Sequence, residues 1–244
     1  MNKLIKPILV LLGSLTFAAS PYFSPEFGGF NPDRYPVPQE NAPVQPAGWA
    51  FAIWGLIYLG LIIHAIAGVF KYRKKTEWDR GRIALIISLA IGTIWLPVAL
   101  KSPIMATILI WFMLVSALIC LYQTYAATPP WVATWPVALY AGWLSAASFV
   151  SVGLLLAGYG VLSDTLAAIV ALAGATLFAT INQFKLAQWP YAAAVSWGFI
   201  GIGIANYGEH NLIAGLSVVA ASVLIAISAS QLLRSSKHEP DREG

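Results

Sequence analysis

The 244-residue sequence predicts an all-α fold, a polytopic helical transmembrane bundle of about eight spans. Three observations carry that expectation. Hydrophobic residues make up 59% of the chain and charged residues only 10%, against roughly 25% charged in a soluble domain. Mean hydropathy is +0.73, and several apolar runs approach the roughly 20 residues that a bilayer-spanning helix needs. Those runs are continuously apolar, whereas the strands of a transmembrane barrel alternate. Ten Asp/Glu and fourteen Lys/Arg cannot cover a water-soluble globule of this size. The composition therefore excludes a soluble enzyme, a disordered chain and a secreted disulfide module. Cys120, the single cysteine, lies inside an apolar run, which excludes an intrachain disulfide and a thiolate metal cluster.

The elements follow from the breaks between runs. The first span, Leu4–Ala19, is short and follows Lys3 and Lys6. With Ala18-Ala19-Ser20 behind it, the same pattern suits a secretory signal peptide, whose cleavage would leave seven spans in the same orientation. Residues 21–46 hold seven prolines, Gly28-Gly29 and several aromatics. Proline blocks helix and limits backbone freedom, so this reads as a stiff irregular loop on the outer face. It is either a lid over a membrane cavity or a solvated connector. The remaining spans are Ala47–Phe70, Ile83–Leu100, Ile104–Tyr125, Val132–Ala157, Thr165–Gln183, Tyr191–Tyr207 and Leu212–Leu233. Pro129-Pro130, the glycines at 158 and 160, and Pro190 punctuate them, and Ser163 is placed to cap a helix N-terminus. Residues 235–244 read as a polar cytoplasmic tail.

Charge placement orients the chain. With the amino terminus cytoplasmic, the inner segments hold Lys3, Lys6, Lys71, Arg73, Lys74, Lys75, Arg80, Arg82, Lys185, Arg234, Lys237 and Arg242. Only Arg34 and Lys101 fall outside. This positive-inside bias supports an integral protein of a bacterial inner membrane with both termini cytoplasmic. It also makes Lys71–Arg82 a topology determinant facing anionic headgroups, and not a nucleic-acid site.

No Asp, Glu, Lys or Arg falls in the middle of a span, which argues against proton-coupled pumps, voltage sensors and ion transporters. No Ser/His/Asp set or paired carboxylates can be placed in the membrane, so the expectation is no enzyme activity and no catalytic residues. Three scattered histidines make no metal site. His64, inside the second span, either ligates a haem or chlorophyll metal or bonds a neighbouring carbonyl. Gly198, Gly201 and Ala205 permit close helix approach, within the chain or between two copies.

The ten tryptophans divide by depth. Trp131, Trp135 and Trp189 stand near span ends, as an interfacial belt does. Trp54, Trp95 and Trp143 lie well inside. Phe51, Trp54 and Tyr58 follow i, i+3, i+7 spacing, and Tyr140, Trp143 and Ala147 share a face of the fifth span. Three helices thus carry flat side chains to similar depths. They either suit a flat, mostly apolar ligand or fill gaps between helices.

The run Pro46-Ala-Gly-Trp49-Ala-Phe51-Ala-Ile-Trp54-Gly-Leu-Ile-Tyr58 resembles the second-helix signature of the TspO/MBR family, the tryptophan-rich sensory and translocator proteins. Tyr140-Ala-Gly-Trp143 is similar to the pattern in that family's last helix, and Trp95-Leu-Pro97 to its third. The resemblance covers about Leu4 to Ala157. It implies a retained first helix, a five-helix portion over 1–160 containing the 21–46 loop, and three additional helices over 161–234. It also implies a ligand site framed by Trp49, Phe51, Trp54, Tyr58, Trp95, Tyr140 and Trp143, with sensing or transport of a tetrapyrrole-like or lipid-like molecule as the function. The alternatives are a transporter of a neutral lipophilic solute and an accessory subunit of a larger membrane complex. Expected partners are membrane lipids, a hydrophobic small molecule, and a second copy or complex subunit. No cofactor is assigned beyond a tetrapyrrole as ligand. Four departures stand out: Gly92 and Ser151 replace buried amides, Ala52-Ile53 replaces Gly-Pro, and Ala146 replaces a Phe.

Overall fold

Helices that are apolar all round cannot choose neighbours by a hydrophobic stripe, so small residues and shape decide the packing. The computed structural model describes residues 4–24 and 28–237. Among the described residues eight apolar helices form: α1 Ile5–Ala19, α2 Ile53–Phe70, α3 Arg82–Ala99, α4 Pro103–Thr124, α5 Trp135–Gly158, α6 Asp164–Leu186, α7 Trp189–Ala205 and α8 Asn211–Lys237. Seven of these segments are long and apolar enough to cross a membrane. α1, 15 residues of α-helix, reaches that length with the 3₁₀ turn Ser20–Phe23 that continues it, whereas α7, at 17 residues, spans about 26 Å at about 1.5 Å per residue. Aliphatic side chains such as Leu56, Leu59, Ile63 and Ile66 on α2 point outward and remain exposed, the arrangement that lipid, not water, tolerates.

The expected breaks have visible chemistry. The Ser163 hydroxyl accepts from the Leu166 N–H at the start of α6, and Ser102 does the same for Met105 at α4. Pro103, Pro136 and Pro190 occupy first turns, where no N–H is needed. Ala187 in the left-handed conformation ends α6.

Two boundaries differ most from expectation. The second span does not begin as α-helix at Ala47. Gly48–Ala52 winds as a 3₁₀ turn first, and α2 starts at Ile53. The Ala47 N–H is taken by the Gly201 carbonyl of α7, so the chain enters tethered to another helix. A 3₁₀ turn advances three residues per turn instead of 3.6, and Phe51 within it still stays on the side of Trp54, both meeting Trp143. At the other end, residues 235–237 of the expected polar tail continue α8, since no Pro or Gly stops it there. Residues 238–244 lie outside the described residues, as do Lys3 and Pro25.

The helices form two closed rings that share α5. In the first, α1 packs on α2 and α3, α3 on α4, and α4 and α2 on α5. In the second, α5 packs on α6 and α7, and α8 closes against both. The shared helix is the most enclosed, with 61% of its span buried. Glycines set the closest approaches. Gly142 of α5 lies against the Tyr191 carbonyl of α7, and Gly198 of α7 lies against Ala146 of α5. Gly198 and Gly201 of α7 therefore serve packing within the chain. Between helices, Ser88 joins the Tyr140 hydroxyl at 2.9 Å and Ser145 joins the Tyr191 hydroxyl at 2.9 Å.

Residues 20–24 and 28–52 close one end of the bundle, called the loop end here. The 71–81 segment closes the other, the basic end, where α1 begins and α8 finishes: Lys6 meets Asp79 at 2.6 Å, and Gln231 pairs with Gln183 at 2.8 Å.

Candidate ligand-binding site

The first ring is filled from its centre toward the loop end in three layers. The deepest is organised by Phe17 of α1, only 2% exposed. Its ring meets Trp54 edge-on at 5.6 Å and Tyr58 at 5.1 Å, and lies 5.8 Å from Tyr140. Trp54 and Tyr58 stack on one another at 5.4 Å. Three of the residues expected to frame a ligand thus close around a side chain of the protein itself. Phe17 fits because position 92 on α3 is glycine: a Cβ there would stand 2.8 Å from the Phe17 ring. Gly92 was legible in the sequence as a departure from the family pattern. Phe17 was not, because one Phe in an apolar helix carries no mark.

Above that plug lies a cavity of about 50 Å³, framed by Phe51, Trp95 and Trp143, with Ala147, Val150 and Ser151 on its α5 side. Phe51 meets Trp143 edge-on at 5.9 Å, and Trp143 meets Trp54 at 6.2 Å. The Trp95 indole is locked by donating its N–H to the Ala106 carbonyl of α4 at 2.9 Å. Ala146 also lines the space. A Phe in its place would collide with α7 at Gly198, which accounts for that departure through a helix outside the first ring. The Ser151 hydroxyl turns back to the Ala147 carbonyl, so the wall presents little polarity.

The third layer is the loop. Phe30 lies over Trp95 at 6.2 Å, and Gly29, Gln45 and Pro46 complete the cover. Gly29 has φ +134°, which a side chain would strain, and a Cβ there would meet the Gln45 amide at 2.6 Å. Tyr35 anchors the loop against Gly158, and burial pushes its phenol pKa well above the ordinary value.

Trp49 takes no part in this cavity. The 3₁₀ turn carries it to the outside, 42% exposed, where it meets Trp197 of α7 edge-on at 4.9 Å. Of the seven residues expected at the site, Phe51, Trp95 and Trp143 line open space, Trp54, Tyr58 and Tyr140 enclose Phe17, and Trp49 stands apart. Trp131, Trp135 and Trp189 do more than mark the interface. With Trp197 they wall a wide groove of about 540 Å³ on the outward side of α2, α5 and α7.

A second aromatic cluster closes the basic end. Trp78 is 3% exposed and stacks between Tyr72 at 4.4 Å and His64 at 5.0 Å. Its indole donates to the Thr128 carbonyl, and His64 Nδ1 pairs with the Val132 carbonyl at 2.9 Å. Bonding a neighbouring carbonyl is thus the role His64 takes. Arg82 does not face headgroups: it is 3% exposed and donates to the carbonyls of Gly68, Tyr72 and Arg73 and to Asp79. No cluster of His, Cys, Asp and Glu able to hold a metal occurs among the described residues.

The family profile described as TSPO-like protein matches residues 33–230, about four-fifths of the chain. The match begins beyond α1 and runs through α6 and α7 into α8. No curated protein and no solved structure matches the chain.

Proposed function

This chain belongs to the TSPO-like protein family, and from that premise we propose that it binds a flat hydrophobic molecule for sensing or transfer and carries out no chemistry on it. It is an integral membrane protein by its apolar helices. The observation that carries the reading is the apolar cavity of Phe51, Trp95 and Trp143 beneath the loop. Its walls offer π faces and apolar burial, which favour a flat ligand over a charged one. Sites for drug-sized ligands run from about 300 to 1,000 Å³, so at about 50 Å³ the cavity is closed to a tetrapyrrole until the loop and Phe30 move aside. The basic end holds both the start of α1 and the finish of α8, and its cations support a reading in which both termini are cytoplasmic.

Titration of the purified protein with a porphyrin, followed by tryptophan fluorescence, tests this reading. Saturable quenching is expected. Ala147→Phe fills the cavity while keeping every aromatic residue, and should weaken binding at least about tenfold, the equivalent of ~1.4 kcal/mol. Absence of saturation with any porphyrin removes the tetrapyrrole proposal. Quenching that is unchanged in Ala147→Phe moves the site elsewhere, the Trp-walled groove being the first place to look.

A further inference from the structure

Beside the closed cavity, at the loop end, lies a polar basin of about 390 Å³ between residues 41–48 and the turn joining α7 to α8. The two spaces share Gln45 and Pro46 as a common wall, so a single residue layer separates them. Gln45 holds that wall shut with a 3.4 Å hydrogen bond from Nε2 to the Gly28 carbonyl. The basin's chemistry is one-sided. Asn206, 2% exposed, donates both Nδ2 hydrogens, to the carbonyls of Pro43 and Ile202, each at 2.8 Å. That fixes the amide and leaves Oδ1, without a donor among the described residues, as an oriented acceptor at the basin wall. Glu209 adds a carboxylate, and Asn41 and His210 complete the polar lining. No lysine or arginine lines it.

We infer that this basin is a head-group subsite for a protonated amine carried on an apolar ring, the ring passing Gln45 into the cavity. The inference rests on the cavity reading above and specifies the ligand class. An ammonium group has only donors and so matches a fixed acceptor beside a carboxylate, whereas a carboxylate head would meet Glu209 with like charge. The fixed acceptor and the carboxylate of the subsite come from the turn joining α7 to α8, and residues 41–48 of the loop form its facing wall.

The test uses the full chain in zwitterionic lipid nanodiscs, with empty nanodiscs as the partition control. Three probes of similar shape are titrated calorimetrically: 2-phenylethylamine, 2-phenylethanol and 3-phenylpropanoate. The amine should bind about tenfold more tightly than the alcohol, with the carboxylate weakest. Glu209→Gln changes an exposed side chain without threatening the fold, and should cut the amine's advantage to about twofold or less. Asn206→Leu should remove what remains. Equal affinity for amine and alcohol overturns the head-group inference and leaves the cavity reading standing, as does an advantage that Glu209→Gln does not alter. Failure of all three probes overturns the inference alone if porphyrin quenching still saturates, and overturns the cavity reading with it if quenching is also absent.

Discussion

Two aromatic clusters, one toward each end of the first ring, are built from the same residue types and closed to different degrees. At the basic end Tyr72, Trp78 and His64 stack nearly parallel, with interplanar angles of 10° and 13°. The polar tips of Trp78 and His64 are matched to carbonyls of a facing segment, and Arg82 bonds three more. At the loop end, Phe51, Trp143 and Trp54 meet edge-on. Edge-on rings leave wedges between them, and here the wedge remains as a cavity. Aromatic content alone therefore does not make a site. At the basic end the stacked rings leave no such wedge, and deeper in the first ring Phe17 fills it, whereas beneath the loop it stays open.

Three substitutions would break or sharpen that contrast. Arg82→Met should have the largest effect, about 3 kcal/mol of lost stability, because it leaves three carbonyls without their donor and Asp79 with Lys6 alone. Thermal unfolding in detergent should show a lowered Tm, while ligand affinity at the far end stays unchanged. A Tm equal to that of the parent would mean the basic end is held by stacking alone. Phe17→Ala should cost less, about 2 kcal/mol. The reference for a membrane helix is lipid and not water, so the loss is mainly packing around the void. The void should also extend the apolar space toward Trp54 and take up benzene, seen as a benzene-dependent rise in Tm that the parent lacks. Lys6→Ala should matter least, about 0.5 kcal/mol or below, since its pair with Asp79 is partly open to solvent. A loss as large as that of Arg82→Met would shift the weight at the basic end onto α1.

Much of this was open to reading beforehand, for identifiable reasons. Eight apolar runs became eight helices because a chain in lipid has few other ways to pair its backbone. Ser163 capped α6 as its residue type and position required. Phe51, Trp95 and Trp143 came together because helix periodicity and depth are local properties. What stayed hidden was every pairing that depended on which helix stood next. Trp49 carries the same indole as Trp54, yet the tether from Ala47 to Gly201 sends it to α7. Arg82 resembled its basic neighbours, and only the turn at 76–81 aims it inward.

The sequence by itself determined the membrane class, the number of apolar helices, the segregation of charge to one end and the depth at which flat side chains lie. Each of those is set by composition or by the rise and period of a helix, which act along the chain. Only the tertiary structure decided that Phe17 occupies the centre of the aromatic frame, that Gly92 makes the space for it, and that Gln45 separates an apolar cavity from a polar basin shared with the α7–α8 turn. Those outcomes depend on contacts across 75 residues in the first pair and more than 150 between Gln45 and the α7–α8 turn. Volume exclusion between distant segments settles them, and no local pattern records it.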